Sequence, residues 1–216
     1  MSEFFLELFT EEIPPNLQKN ARENLLKNFR DFFEKKNIRF NKNLTFSTPN
    51  RLLILFDGIK PEIRQKEEEI RGPKVESHEK ALEGFLRSNN FQQKDLYQKE
   101  SDKGVFYFAK KPAKTIKILD LLNENIPMII GKISWKKSMK WGDFDIYWAR
   151  PLKSILAMFN NTKLTFNYHH IQSSNFTIID KDFEDKTKAF KNFKQYISYF
   201  KKSKIIIDQN RRKKFI

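Results

Sequence analysis

The chain has 216 residues, 39% hydrophobic and 14% aromatic, a composition that predicts a folded protein of one or two domains and excludes a disordered one. It contains no cysteine, which excludes disulfides, thiolate metal sites and a cysteine nucleophile. The net charge of +15 favours an anionic partner such as nucleic acid, although a solvated lysine-rich surface would give the same balance.

The first quarter of the chain predicts short strands and one long helix. Residues 4–8, FFLEL, are typical of a strand. Apolar residues then recur from Leu17 to Phe33 at the three- and four-residue spacings of one helical face. Residues 44–48 and 51–58 predict two further strands, and the Pro-Asn dipeptide between them indicates a tight connection.

The rest of the chain mixes helices and strands without a regular alternation. Helices are predicted over residues 79–86, 115–126 and 154–159 (SILAMF), and strands over residues 105–111, 164–169 and 205–208. Pro127 is expected to interrupt or kink the second of these helices. This mixture of short elements predicts an α+β fold.

The chain shows no targeting or membrane signal. Its N-terminus carries acidic residues where a signal peptide needs a basic region. No stretch approaches the ~20 apolar residues of a membrane span. We therefore expect a cytoplasmic protein without membrane contact.

Sites for small-molecule chemistry are not indicated. The six glycines lie too far apart for a glycine-rich phosphate-binding loop. His169 and His170 are adjacent, so on a strand they would point to opposite faces and make a poor metal pair. Glu11 and Glu12, with Glu7 before them, could form a carboxylate pair, but acids before a helix have an ordinary electrostatic explanation, which we favour. We predict no catalytic and no metal-ligating residue.

Positive charge is concentrated in the second half of the chain. Residues 1–108 carry 19 basic and 18 acidic side chains, whereas residues 109–216 carry 23 and 9. This asymmetry predicts a phosphate-attracting surface on the second half. In the first half, Arg51 and Arg71 each lie near a proline at a turn, where a guanidinium could bind phosphate, cap carbonyl groups or pair with the acids at 67–69.

Residues 134–151, SWKKSMKWGDFDIYWARP, interleave cations with tryptophans. This alternation is typical of proteins that bind single-stranded RNA, although tryptophans more often belong to a core. Trp141 is expected to be largely buried, because Gly142 and Asp143 beside it indicate a turn packed over the core. The KKSMK run resembles the ATP-binding KMSKS loop of class I synthetases. The chain lacks the nucleotide-binding sheet and HIGH-type signature of those enzymes, so we reject that match.

Six short motifs follow one another along the chain: FTEEIPP (9–15), TPNRL (48–52), IRGPKV (70–75), DKGVF (102–106), MKWGD (139–143) and ARP (149–151). Together they resemble the N-terminal region of the β subunit of bacterial glycyl-tRNA synthetase, where the corresponding runs are similar to GTEELPP, TPRRL, RGP, a TDKG-type turn, MRWG and RP. The resemblance covers nearly the whole chain. This sequence departs from it at Phe9, at Asn50 and in lacking a GHRF-like run after Thr177.

The resemblance implies a class II, ATP-dependent glycine-tRNA ligase with an α2β2 assembly. In that family the α subunit activates glycine with ATP and Mg, and the β subunit supports assembly and the recognition of tRNA(Gly). The implied partners are an α subunit and tRNA, not DNA, and no cofactor is expected in this chain. We expect residues 1–170 to form the N-terminal α+β domain, and residues 171–216 to begin the next part of a truncated multidomain subunit. Alone, such a chain should be inactive.

The resemblance and the charge pattern together lead to a site hypothesis. Lys136, Lys137, Lys140 and Arg150 are predicted to contact the tRNA backbone, and Arg71 and Lys74 are secondary candidates for the same face. Two alternatives stay open: a stand-alone RNA-binding module and an inactive remnant, each derived from that subunit.

Overall fold

The computed structural model of the chain describes residues 2–65, 67–101, 104–141, 143–180 and 182–215. The predicted turn at Asp102 and Lys103 and the predicted turn residue Gly142 therefore lie outside the described residues. The chain divides into two compact units. Unit 1 combines residues up to 61 with those from 117 onward, and unit 2 is Glu62–Ile116. Residues from 171 onward belong to unit 1, so this division differs from the boundary predicted at residue 170.

The chain contains both helices and strands, which confirms the predicted α+β class. The helices are α1 (Pro15–Lys35), α2 (Glu79–Asn89), α3 (Ile118–Gly131), α4 (Phe193–Lys202) and α5 (Gln209–Arg212). The strands are β1 (Ser2–Thr10), β2 (Lys42–Thr48), β3 (Arg51–Ile59), β4 (Glu62–Gln65), β5 (Glu68–Lys74), β6 (Leu96–Ser101), β7 (Gly104–Lys111), β8 (Lys114–Lys117), β9 (Met139–Lys140), β10 (Tyr147–Trp148), β11 (Leu152–Phe159), β12 (Thr162–Lys163), β13 (Asn167–Tyr168), β14 (Ile171–Ser174), β15 (Phe176–Asp180) and β16 (Phe183–Ala189).

Unit 1 is built on a seven-stranded sheet with the order β13-β14-β11-β1-β3-β2, and β12 pairs with β11 at its side. β1 lies near the centre, where Leu6 is opposite Ala157 on β11 and opposite Ile54 on β3. Both neighbours are apolar strands. A strand in this position is buried on both faces, which explains why the start of the chain is almost continuously hydrophobic.

One face of the sheet packs against α1. The ring of Phe4 lies 5.2 Å from that of Phe29, and Phe33 contacts Phe56 edge-to-face at 4.8 Å. Phe29 and Phe33 come from the apolar helical face that the sequence predicted. On the far side of α1, Asn28 donates to the Ile129 carbonyl at 3.4 Å and so connects α1 to α3. Pro127 lies inside α3, which ends at Gly131 rather than at the proline.

The opposite face packs against α4. Phe5 lies 5.0 Å from Tyr196 and 5.2 Å from Phe193, and Leu156 and Phe200 belong to the same buried cluster. Successive residues of β1 therefore point to opposite faces of the sheet, Phe4 toward α1 and Phe5 toward α4. The C-terminal part of the chain completes the core of unit 1.

Three predicted elements were wrong or too long. Residues 154–159 are not a helix but most of β11, because a run buried on both faces lacks the alternation that would mark a strand. Residues 205–208 form no strand; they lead into α5, where the Asp208 carboxylate caps the helix by accepting from two backbone amides. In the segment 164–169, only Asn167–Tyr168 pairs as a strand.

Unit 2 contains a three-stranded antiparallel sheet in the order β5-β7-β6, and a separate pair formed by β4 and β8. α2 packs on one face of the three-stranded sheet. A Cβ added to Gly72 on β5 would come within 3.0 Å of the Phe85 ring on α2, so this glycine allows the close approach. The opposite face of the sheet carries Arg71, Phe108 and Tyr97.

Two glycines give stability predictions of opposite sign. Gly58 has φ +81°, and a Cβ there would lie 2.5 Å from Asn41 Cγ, so Gly58→Ala should lower the free energy of unfolding by about 1–2 kcal/mol. Gly84 lies within α2 with open space around it, so Gly84→Ala should raise helix stability by about 0.5–1 kcal/mol. Urea unfolding followed by circular dichroism measures both. Equal effects would show that the backbone conformation of Gly58 is not what matters.

Candidate nucleic-acid interface

The predicted RNA-binding residues of unit 1 surround a short two-stranded ribbon. In it, Lys140 on β9 pairs with Tyr147 on β10, and Met139 pairs with Trp148. Arg150 follows Trp148 by two residues, so the antiparallel pairing returns it toward the segment that carries the lysines. The four predicted cations are all exposed: Lys136, Lys137, Lys140 and Arg150. We call these four residues the ribbon cations.

Tryptophans attach this ribbon to the rest of unit 1. Trp148 is 1% exposed and donates from Nε1 to the Tyr168 hydroxyl at 3.3 Å, while the Trp135 ring packs 5.2 Å from that of Trp148. Trp141 is half-buried, less than predicted, and contacts His170 edge-to-face at 5.3 Å. The tryptophan rings thus pack this ribbon against unit 1, while the lysines and Arg150 remain exposed to solvent.

The ribbon cations differ in their ion pairing. Lys140 Nζ lies 2.7 Å from Asp145 Oδ1. The hydrogen bond to Asp145 raises the pKa of Lys140, and the same bond lowers the pKa of Asp145. Among the residues that the structure describes, no carboxylate forms an ion pair with Lys136, Lys137 or Arg150. Three of the four cations are thus open to an external anion, and the fourth must exchange its partner.

Removing the acid that holds Lys140 should therefore strengthen polyanion binding. Asp145→Asn leaves the size of the side chain unchanged but takes away the charge that competes with a phosphate for Lys140. We expect tRNA to bind this variant a few-fold more tightly at low salt. Fluorescence anisotropy with labelled tRNA measures the change, and Asp120→Asn, an exposed acid on α3, is the control for net charge. Equal gains in both variants would mean that only the overall charge matters.

The two secondary candidates, Arg71 and Lys74, lie in unit 2. Both are exposed on β5. The Arg71 guanidinium carbon lies 3.6 Å from the centroid of the Phe106 ring, and Lys74 Nζ lies 5.7 Å from it. One open alternative was that Arg71 pairs with an acid at 67–69. The structure shows instead that its guanidinium lies over the Phe106 ring.

A buried polar cluster in unit 1 was missed by sequence reasoning. Glu7 on β1 is fully buried and accepts hydrogen bonds from the hydroxyls of Thr177 and Tyr196, one on each carboxylate oxygen. Arg51 Nε lies 3.3 Å from Glu7 Oε2, and its Nη2 donates to the Ile178 carbonyl. Burial raises the pKa of Tyr196 well above its ordinary value, and the negative charge of Glu7 adds to the effect. The cluster joins β1, β3, β15 and α4.

This cluster shows what Arg51 contacts and whether Glu7 pairs with Glu11. Arg51 is 9% exposed and lies between the rings of Phe9 and Phe200, 4.5 Å and 5.0 Å from their centroids. It pairs with a carboxylate and a carbonyl rather than with phosphate. Glu7 forms no pair with Glu11, whose carboxylate contacts Lys153 at 2.5 Å. Both Glu11 and Glu12 precede the Pro14 N-cap of α1, so the proposed helix-dipole explanation does not apply to its first turn.

The described residues hold neither a metal-ligating cluster nor a membrane-spanning helix. They contain no group of three or more His, Cys, Asp or Glu side chains that could hold a metal ion. No helix within the described ranges is long and apolar enough to cross a membrane. What the surface does offer is exposed cations on a segment that aromatic rings anchor to unit 1, an arrangement suited to a phosphate backbone.

Comparison with known proteins assigns the chain to a family. A family model described as "Glycyl-tRNA synthetase beta subunit" matches residues 4–216. The chain is 36% identical over its whole length to the "Glycine--tRNA ligase beta subunit" of Rickettsia peacockii (strain Rustic) and 35% identical to that of Rickettsia prowazekii (strain Madrid E). In both comparisons the matched region covers all of this chain and 32% of the relative. The chain therefore spans about a third of the length of these curated relatives. The chain therefore belongs to the glycyl-tRNA synthetase beta subunit family.

Proposed function

We propose that this chain acts within a glycine-tRNA ligase, where it contributes to the recognition of tRNA(Gly) and to assembly with an α subunit. Its family membership and the names of its relatives support the reaction. The ribbon cations carry the role in recognition, because exposed cations on a segment anchored by packed tryptophans can position a phosphate backbone. In this proposal the assembly is an α2β2 tetramer of class II in the cytoplasm, and the α subunit binds ATP and Mg.

Two binding measurements test this proposal. Labelled tRNA(Gly) titrated into the 216-residue chain should bind with an affinity that falls steeply with salt, and tagged α subunit should retain the chain on a column. Binding of tRNA without retention by the α subunit would favour a stand-alone RNA-binding module. Failure of both would favour an inactive remnant and would contradict the proposal.

The chain should not perform the reaction alone. The glycine spacing gives no phosphate-binding loop, the described residues contain no group that could hold a metal ion, and Glu7 is enclosed by its partners. We therefore expect ATP–pyrophosphate exchange with glycine at the background level when only this chain is present. The α subunit is the positive control. Glycine-dependent exchange by the purified chain above background would refute this division of labour.

A further inference from the structure

The three-stranded sheet of unit 2 has two unlike faces. In the pairing, Ile70, Ala109 and Leu96 stand side by side across the sheet. They share a face with Gly72, where α2 packs. The neighbouring row consists of Arg71, Phe108 and Tyr97, which must point to the other face because side chains alternate along a strand.

The face opposite α2 interleaves aromatic rings with cations. Tyr97 and Phe108 are stacked with their centroids 6.2 Å apart, and Lys99 Nζ lies 5.5 Å from the Phe108 ring. Arg71 covers the neighbouring Phe106 at 3.6 Å, and that ring is only 7% exposed, so Tyr97 and Phe108, both half-buried, are the rings that a base could reach. The set is Tyr97, Phe106, Phe108, Arg71, Lys74 and Lys99, which we call the aromatic sheet face.

Aromatic rings on an open sheet face serve in other proteins to stack unpaired bases, while neighbouring cations hold the phosphates. A guanidinium stacked on a ring offers a second planar surface, on which a base can also lie. We propose that the aromatic sheet face of unit 2 binds an unpaired segment of RNA. The inference deepens the proposed function and rests on it, since tRNA is the RNA that would supply this segment.

The acidic residues beside this face fit the proposal in a specific way. Glu69 accepts from the Tyr97 hydroxyl at 2.5 Å and pairs with Lys99 at 3.0 Å, and Glu67 pairs with Lys110 at 3.2 Å. The bond to Glu69 raises the pKa of Tyr97 to about 12, so the ring stays neutral. Four cations, Arg71, Lys74, Lys99 and Lys110, still outnumber the two acids. Charge complementarity thus favours an anionic strand over a basic peptide.

The first test compares single-stranded with double-stranded RNA. The 216-residue chain is titrated with fluorescein-labelled octauridine and with a labelled eight-base-pair RNA duplex. In the double variant Tyr97→Leu/Phe108→Leu, the sheet keeps its apolar side chains but loses both rings. We expect its affinity for octauridine to fall at least about tenfold, while its affinity for the duplex stays unchanged.

Three single variants separate stacking on this face from general charge effects. Glu69→Gln removes the acid from the face and should tighten octauridine binding. Lys80→Gln removes an exposed cation from α2, which covers the opposite face, and should change the affinity far less than Lys99→Gln. Weaker binding in Glu69→Gln, unchanged binding in the double variant, or preference for the duplex would each overturn the proposal.

Photocrosslinking of the unmodified chain keeps the test decisive if a variant unfolds. An octamer with 5-bromouracil should crosslink to Tyr97 or Phe108, as located by mass spectrometry of the peptides. Crosslinks confined to unit 1 would contradict the proposal. A chain that crosslinks here but is not retained by the α subunit would sink the proposed function alone, whereas retention and tRNA binding without these crosslinks would sink this inference alone.

Discussion

Replacing Arg51 with methionine should lower the free energy of unfolding by about 3–5 kcal/mol. Methionine fills a similar volume between Phe9 and Phe200, so packing is largely kept. What is lost is the only cation that the described residues place against the buried Glu7 carboxylate, which is 0% exposed. Without its cation, the buried carboxylate keeps only the hydrogen bonds from Thr177 and Tyr196 to offset the cost of its desolvation.

Urea unfolding followed by circular dichroism measures this loss. Glu11→Gln is the matched control, because it breaks the more exposed ion pair with Lys153 and should cost less than about 1 kcal/mol. In the double variant Glu7→Leu/Arg51→Met the charge itself is gone, so part of the loss should be recovered. Additive effects of the two substitutions would show that Glu7 and Arg51 do not act as a pair.

Replacing the four ribbon cations by alanine should flatten the salt dependence of tRNA binding by about three units of log–log slope. Each cation that contacts a phosphate displaces a counterion, and each lost contact removes somewhat less than one unit. Sequence preference should change little, because backbone contacts position the protein without reading bases. The slope is obtained from anisotropy titrations with tRNA across a range of salt concentrations.

The control for this experiment must remove the same charge elsewhere in unit 1. Lys19, Lys27, Arg30 and Lys35 are exposed on α1 and again comprise three lysines and one arginine. Replacing these four by alanine should leave most of the slope in place. If both quadruple variants, still folded, lower the slope equally, the binding surface is diffuse. An unchanged slope in the ribbon variant would mean that its cations are only solvated.

The sequence was sufficient for elements whose pattern is local. The apolar spacing from Leu17 to Phe33 predicted α1, and the strands on either side of Pro49 and Asn50 pair as expected. It was insufficient for β11, because a strand buried on both faces and a buried helix have the same composition over six residues. Its pairing along almost its whole length with β1, which lies at the other end of the chain, decides between the two.

The same limit applies to the sites. The lysine-rich segment predicts that Lys136 and Lys137 are exposed, and the structure places both on the surface. Glu7 and Tyr196 are 189 positions apart, so no local pattern could connect them. The aromatic sheet face likewise depends on the register that aligns Arg71, Phe108 and Tyr97, which three separated segments determine together.

The role of the ribbon cations in tRNA recognition is tested most directly in the assembled ligase. The α subunit is combined with the β chain that carries these residues, either unchanged or with the ribbon cations replaced by alanine. Glycine-dependent ATP–pyrophosphate exchange and the charging of tRNA(Gly) are then measured side by side. We predict that kcat/KM for tRNA falls at least about tenfold while exchange stays unchanged, as expected when only tRNA contacts are lost. Unchanged charging, or an equal loss of exchange and charging, would contradict this role.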